Sequence, residues 1–339
     1  MRSINIMNWD IIGHKHITNY LEQAIINDRL AHAFLFYGPK QLGKKKLARQ
    51  FAKILLCYND KISENVPCGQ CEQCLEFDKG AHPDFYVIEK NKQEKNISVE
   101  QIRELRSQLI GKSFFKSYKI AIIEGAENMS LQASNSLLKT LEEPLGKTVI
   151  ILVAENLYSL PKTILSRSQK IKFLPVPNKE IYNYLVSHNK LEHKEALDLA
   201  NLSQGRPGRS VIFSTVPHLW KIYTDNLNTF FKLMSAEDYQ KINFVESLLE
   251  KQKKIIDKNN IIFPMLNLWQ TLFRDIVLLK NDLSGKIINS KVKIELQRLE
   301  PYFSLSRLYK IDNNIEQTKR YLKQNTNPRL VLENLVLNF

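Results

Sequence analysis

Long apolar runs are missing from this chain. None reaches the roughly 18 to 20 residues that a membrane-spanning helix needs. The longest candidate, FPMLNLWQTLFRDIVLLK, is interrupted by Asn267, Gln270, Arg274 and Asp275, so it reads as a helix with one buried face. The first residues, MRSINIMNWDIIGHKH, lack the apolar stretch and small-residue cleavage site of a secretion signal. These absences set the expectation of a cytoplasmic protein with no membrane partner. Acidic residues are also short, 35 Asp and Glu against 49 Lys and Arg, for a net charge of +14 over 339 residues. A basic surplus favours a polyanionic partner, nucleic acid first. A chain rich in Lys, Asn and Ile together is equally what A/T-biased codon usage produces, and the lysines are spread along the chain. No repeat or low-complexity segment alters this picture.

Cysteine is the scarcest informative residue. There are four, and all fall within 18 residues, at Cys57, Cys68, Cys71 and Cys74. In a reducing compartment disulfides are disfavoured. Four thiolates this close in sequence suit tetrahedral Zn²⁺, with Pro67 and Gly69 permitting the tight turns. A site closed by four sulfurs leaves no position for a substrate, so the metal is expected to be structural.

The length allows two or three domains. Residues 15–30 place Ile17, Leu21, Ile25 and Leu30 near helical spacing, and AHAFLFYG reads as a buried strand. A helix with Leu47, Phe51, Ile54 and Leu55 on one face follows. FYVIE, YKIAIIEGAE, KTVIILVAE and QKIKFLPV read as four further strands. Between them lie a helix capped by Ser98 with Gln101 three residues later, and a helix ASNSLLKTLEEP that Pro144 helps to end. Strands alternating with helices predict an α/β domain on a mostly parallel sheet. After Pro175 and Pro177 the strand pattern stops. Residues 178–213 suggest short helices with a turn at GRPGR. Beyond about residue 216 only helical periodicity remains, in stripes such as Trp220, Tyr223, Leu227 and Phe230–Phe231, and Met265, Trp269, Leu272 and Ile276.

The stretch GPKQLGKK, residues 38–45, nearly matches the phosphate-binding loop G-x-x-x-x-G-K-[ST] in the strand–loop–helix context that loop requires. Gly38, Gly43 and Lys44 fit. Lys45 stands where a hydroxyl would hold Mg²⁺, offers no oxygen and repels the metal, so productive Mg-nucleotide binding should be weak. The strand KIAIIE ends in Glu124 followed by Gly125. One acid for the metal remains, and a second, water-activating carboxylate is absent. Glu127 reads as a helix-start carboxylate. Arg167, in LPKTILSRSQ, has two readings: a solvated loop arginine, or a residue acting in trans on a neighbour's nucleotide.

AHAFLFYGPKQLGKKKLA, the four cysteines, NSLLKTLEEP, LPKTILSRS and NPRLVLENLV, in that order, resemble the clamp-loader subunits of bacterial DNA polymerase III, of the AAA+ class. The altered loop is most similar to the delta-prime type. The resemblance covers essentially the whole chain and implies three domains. These are an AAA+ α/β domain over 1–175 carrying the zinc module at 57–74, a helical lid over 176–215, and an all-helical collar over 216–339 that builds a hetero-oligomeric ring. It implies motor (gamma/tau) and delta subunits as partners, and a sliding clamp loaded on primed DNA through the complex during DNA replication. It further implies that Cys57, Cys68, Cys71 and Cys74 hold zinc, and that Arg167 completes a neighbouring subunit's ATPase site. On this reading the chain is part of a DNA-directed DNA polymerase holoenzyme without being an ATPase itself. Two departures stand out. The family's S-R-C motif has Ser168 in place of Cys, and the lid position of a nucleotide-sensing arginine aligns with Gly208, between Arg206 and Arg209. Two alternatives stay open: an active motor subunit, and a DNA-binding module acting without a clamp. Nucleotide held without turnover is also open.

Overall fold

A computed structural model describes residues 7–58, 66–91, 94, 96–115, 117–143, 146–253, 258–324 and 326–339, with no side-chain description at 251–253 and 258–260. Pro144, expected to end a helix, lies outside the described residues. The chain divides into two compact units. One runs to Tyr184 and includes Gly205–Gly208; the other comprises Leu185–Gln204 and Arg209–Phe339. The residues expected to form a lid, 176–215, are therefore shared between the two.

The first unit is a three-layer α/β fold. Its strands are β1 (Ala33–Tyr37), β2 (Phe85–Ile88), β3 (Lys119–Glu124), β4 (Thr148–Ala154) and β5 (Gln169–Lys172). They form one sheet in the order β2-β3-β4-β1-β5, and every pairing is parallel. The helices are α1 (Lys15–Ile26), α2 (Lys44–Leu56), α3 (Glu72–Asp78), α4 (Val99–Leu109), α5 (Leu131–Glu142) and α6 (Lys162–Arg167). A strand points successive side chains to opposite faces, and the central strands are buried on both. Phe34, Phe36, Ile122 and Ile151 meet Leu21, Leu47 and Phe51 on one face. Leu35, Ile123, Ile150 and Leu152 meet Ile102, Leu105, Leu137 and Ile164 on the other. The near-continuous apolar strands read from sequence are what a doubly covered parallel sheet requires. The α4 capping box is present in both directions: Gln101 N–H donates to Ser98 Oγ at 3.3 Å, and Ser98 N–H to Gln101 Oε1 at 3.0 Å.

Helix α7 (Asn178–Ser187) follows the sheet, and α8 (His193–Ser203) and α9 (Pro207–Thr215) come next. GRPGR therefore holds both the end of a turn, at Gly205, and the start of a helix. Pro207 occupies the first helical position, where its missing N–H costs nothing and its fixed φ suits the helix. The reversal falls at Gln204 and Gly205, both with positive φ.

The rest of the second unit is helical: α10 (Pro217–Met234), α11 (Asp238–Lys253), α12 (Lys258–Lys280), α13 (Lys293–Leu299), α14 (Leu305–Lys323) and α15 (Pro328–Leu337). Its core gathers on α12, where Met265, Leu266, Trp269, Leu272, Phe273 and Ile276 pack with Phe230, Phe303, Ile311 and Phe339. By length and composition Ile261–Lys280, with mean hydropathy 1.2, could cross a membrane; half of it is buried inside the protein as a core helix. On α12 the Asp275 carboxylate is fully buried and accepts N–H groups from Ile288 at 3.1 Å and Asn289 at 2.8 Å, and the Asn289 amide at 2.7 Å. Burial pushes this carboxyl up, against the lowering effect of those donors. Asn289 in turn accepts from Tyr223 Oη at 2.9 Å, which ties α10 and α12 to the 287–289 segment. Asp275→Ala strands three buried donors at about 1 kcal/mol each or more. It is expected to cost about 3 kcal/mol, read as a lowered denaturant midpoint in this unit's unfolding.

Candidate nucleotide cradle and metal centre

The loop 38–43 connects β1 to α2 at the carboxyl end of the sheet, the usual ligand-binding edge of such folds. Gly43 caps α2 in the left-handed conformation. So the strand, glycine turn and helix of a phosphate-binding loop are all in place. The loop's carbonyl groups, however, are engaged by the protein itself. Lys44 is buried and folds back, its Nζ donating to Gly38 O and, at 2.7 Å, to Pro39 O. Burial lowers its pKa to about 8, partly offset by Glu155 and Glu127. His14 Nε2 lies 2.9 Å from Leu42 O. Lys40 pairs with Glu155 at 3.0 Å.

Gln41 O accepts the Gly208 N–H at 2.9 Å, so residues 205–208 lie directly against the loop. A Cβ at Gly208 would fall 2.9 Å from that oxygen and 3.3 Å from Gln41 Cα. Backbone cannot give way as a side-chain end can, so an arginine does not fit at this position in this arrangement.

Glu124 ends β3, two strands from β1 and so about 10 Å across the sheet. Its side chain is only 6% exposed. Lys45 and Arg49 stand four residues apart on α2, which puts both on one helical face. Lys45 Nζ is ion-paired with Glu124 Oε2, and Arg49 Nη2 lies 3.7 Å from Oε1. Lys45 therefore lacks the metal's hydroxyl ligand and also covers the carboxylate that would serve Mg²⁺. At the next position Gly125 has φ 66°. A carboxylate-bearing residue there would carry the strain of a left-handed backbone, about 1 to 2 kcal/mol. Glu127 lies in the short turn Ala126–Asn128, with Oε2 buried and unpartnered.

Arg167 is placed differently. It ends α6 with its side chain 36% exposed. Nη2 pairs with Glu142 Oε1 at 2.8 Å, and Nη1 donates to Thr163 O at 3.2 Å. Glu142 belongs to the KTLEEP segment and was not singled out from sequence. The (i, i+4) spacing of Lys45 and Arg49 was a legible signal for the first cluster. Nothing local signals the Glu142–Arg167 pair, because it joins separate helices. Beside it, Ser168 is buried with its Oγ unpartnered, a poorer fit for a hydroxyl than for the sulfur usual in the S-R-C pattern.

The four cysteines converge, with all Sγ atoms within 4.8 Å of one another. A tetrahedron with 2.3 Å metal–sulfur bonds has edges of about 3.8 Å, so a small contraction would close the set on an ion. The chain already treats the sulfurs as acceptors. Cys68 N–H points to Cys57 Sγ at 3.5 Å, Cys71 N–H to Cys68 Sγ at 3.3 Å, and Cys74 N–H to Cys71 Sγ at 3.4 Å. Burial works against the Cys68 thiolate, but N–H groups of Gln70 and Cys71 outweigh it and bring the thiol down to about 6. These four residues could hold a metal ion. Cys57 immediately follows α2, so the cluster anchors the far end of the helix that begins at the loop.

Two sequence profiles match the chain, "DNA polymerase III, delta subunit" over residues 13–177 and "DNA polymerase III, delta subunit, C terminal" over 217–339. The chain is 37% identical to DNA polymerase III subunit delta' of Pseudomonas aeruginosa over 52% of its own length and 54% of that protein. It is 27% identical to DNA polymerase III subunit tau of Bacillus subtilis over 96% of its own length and 60% of that protein. It thus spans about half to three fifths of the length of these curated relatives. A crystal structure of a DNA polymerase III, gamma subunit-related protein from Thermotoga maritima is similar over 94% of this chain and 97% of that one, with 17% identity and a TM-score of 0.44. Relatives named delta' and relatives named tau or gamma match alike, so these likenesses define a family and leave the subunit type to the site's chemistry. The chain belongs to the family of DNA polymerase III clamp-loader subunits.

Proposed function

We propose that this chain is the non-motor, delta-prime-type subunit of a clamp loader. It helps place a sliding clamp on primed DNA, in a complex with gamma/tau and delta subunits, and it supplies Arg167 in trans to a neighbouring subunit's ATP. The observation that carries this reading is the Lys45–Glu124 ion pair. A tethered cation occupies the carboxylate that a Mg-nucleotide would need, while Arg167 stands at the surface. The folded-back Lys44, the approach of Gly208 to Gln41 and the left-handed Gly125 support it. On the same reading Cys57, Cys68, Cys71 and Cys74 hold a structural Zn²⁺, which adds no chemistry beyond fixing the 57–74 segment to α2.

A second reading, an ATP-hydrolysing motor subunit, is favoured by the match to a tau relative over 96% of this chain. Phosphate release by the isolated chain separates the two. No turnover above background is expected, and Lys45→Thr is expected to leave it absent. That change uncovers Glu124 and restores a hydroxyl ligand, but Gly125 still supplies no carboxylate to activate water. Turnover by the unaltered chain would establish the motor reading instead.

A further inference from the structure

We propose that Glu142 positions Arg167 for the neighbouring subunit's nucleotide, an inference that rests on the trans role of Arg167. Among the described residues the guanidinium has three polar contacts: Glu142 Oε1 at 2.8 Å, Thr163 O at 3.2 Å and Ser166 Oγ at 3.4 Å. The last two belong to α6 itself and travel with the arginine wherever that helix goes. Glu142 comes from the last turn of α5. Among the described residues it alone ties the direction of the guanidinium to a second element of the domain. Beneath the pair, Leu137 and Leu141 of α5 and Ile164 of α6 share one buried core, so both ends of the ion pair stand on fixed ground.

The pair is too exposed, at 36% and 48%, to be a significant source of folding stability. Its effect is to restrict a side chain with many rotamers. An arginine that is already ordered loses less freedom when it engages a phosphate. The carboxylate takes one short bond, to Nη2. Exchanging it for a triphosphate oxygen, which carries more charge, requires only that bond to be replaced. Glu142 is thus a positioning residue that touches no substrate.

The test uses the reconstituted complex with its ATP-hydrolysing subunits. Turnover at the site that Arg167 serves, resolved by single-turnover measurement, is compared for the unaltered chain, Glu142→Ala, Arg167→Ala and the double variant. Glu142→Ala is expected to lower the rate at that site about three- to tenfold, the range for losing one preordered side chain, with the affinity for ATP unchanged. Glu142→Gln, which keeps an acceptor and loses the charge, should fall between it and the unaltered chain. Added to Arg167→Ala, Glu142→Ala should have no further effect, the signature of two residues acting as one. An equal loss in both backgrounds would overturn the proposal, because Glu142 would then act through structure rather than through Arg167. Unaltered turnover in Glu142→Ala, with Arg167→Ala impaired, would overturn it while leaving the trans role standing. Unaltered turnover in Arg167→Ala would remove both.

Discussion

Arg167→Ala is expected to lower ATP turnover by the assembled complex by about 10³ to 10⁵ at the site it serves, the range for arginines that act in trans on a transferring phosphoryl group. In the proposed trans role, the charge that develops on the phosphoryl oxygens would be met by a guanidinium already in place in a water-poor interface, where it is worth far more than in bulk water. If several neighbouring sites hydrolyse ATP, bulk turnover falls only by the share of the one that Arg167 completes. Single-turnover measurement at limiting ATP resolves that site. The isolated chain should fold unchanged, because Arg167 sits on the surface and its ion pair contributes little to stability. Arg167→Lys should recover little. Lysine keeps the charge but loses the planar fork that grips two phosphate oxygens.

If the four cysteines hold zinc as proposed, its removal is expected to have the second large effect. Stripping the chain with a strong chelator, or Cys74→Ser, is expected to destabilise the first unit by about 3 kcal/mol or more. Structural zinc supplies about 10 to 16 kcal/mol of apparent binding energy in small peptides that fold around it. Here the segment is grafted on a domain with its own core, so only part of that energy is at stake. Cys74 is buried beside Cys57, and Cys57 follows α2 directly, so loosening of the cluster reaches the helix that carries Lys45 and Arg49. For a unit of this size, 3 kcal/mol is a melting shift of about 6 to 12 °C. A metal content near one zinc per chain, lost in Cys74→Ser, links the shift to the ion. An unchanged melting temperature on full metal removal would show that the 57–74 segment holds itself together.

Much of the first unit's fold was legible because its signals are local. Strands β1 to β4 are short, mostly apolar runs beside a glycine or a charged residue, β5 (QKIK) runs into the apolar stretch that follows it, and Ser98 with Gln101 announces the start of α4. The cysteines could be read together because one short loop carries them all. In GRPGR the turn at Gly205 was legible, and the helix start at Pro207 was not, because proline serves turns and helix starts alike. Lys45 was recognisable as the wrong residue in a phosphate loop. That it would reach Glu124 was not, because Lys45 sits on the helix that follows β1 while Glu124 ends β3, with β4 between those strands, and the two meet only once the parallel sheet is assembled. The partnership of Glu142 with Arg167 and the seating of Gly208 on Gln41 were hidden for the same reason. In each case the sequence shows the group, and the topology chooses its partner.

The central claim is that Lys45 takes the carboxylate that would serve Mg²⁺ at the cradle of residues 38–45, while the chemistry takes place at a neighbour. The most direct measurement is a calorimetric titration of the isolated chain with ATP, in Mg²⁺ and again in excess chelator. With Glu124 taken by Lys45, Mg²⁺ should not improve binding, and the two titrations should be alike and weak. A micromolar affinity that appears only with Mg²⁺ would show that the metal displaces Lys45 from Glu124, and would contradict the account.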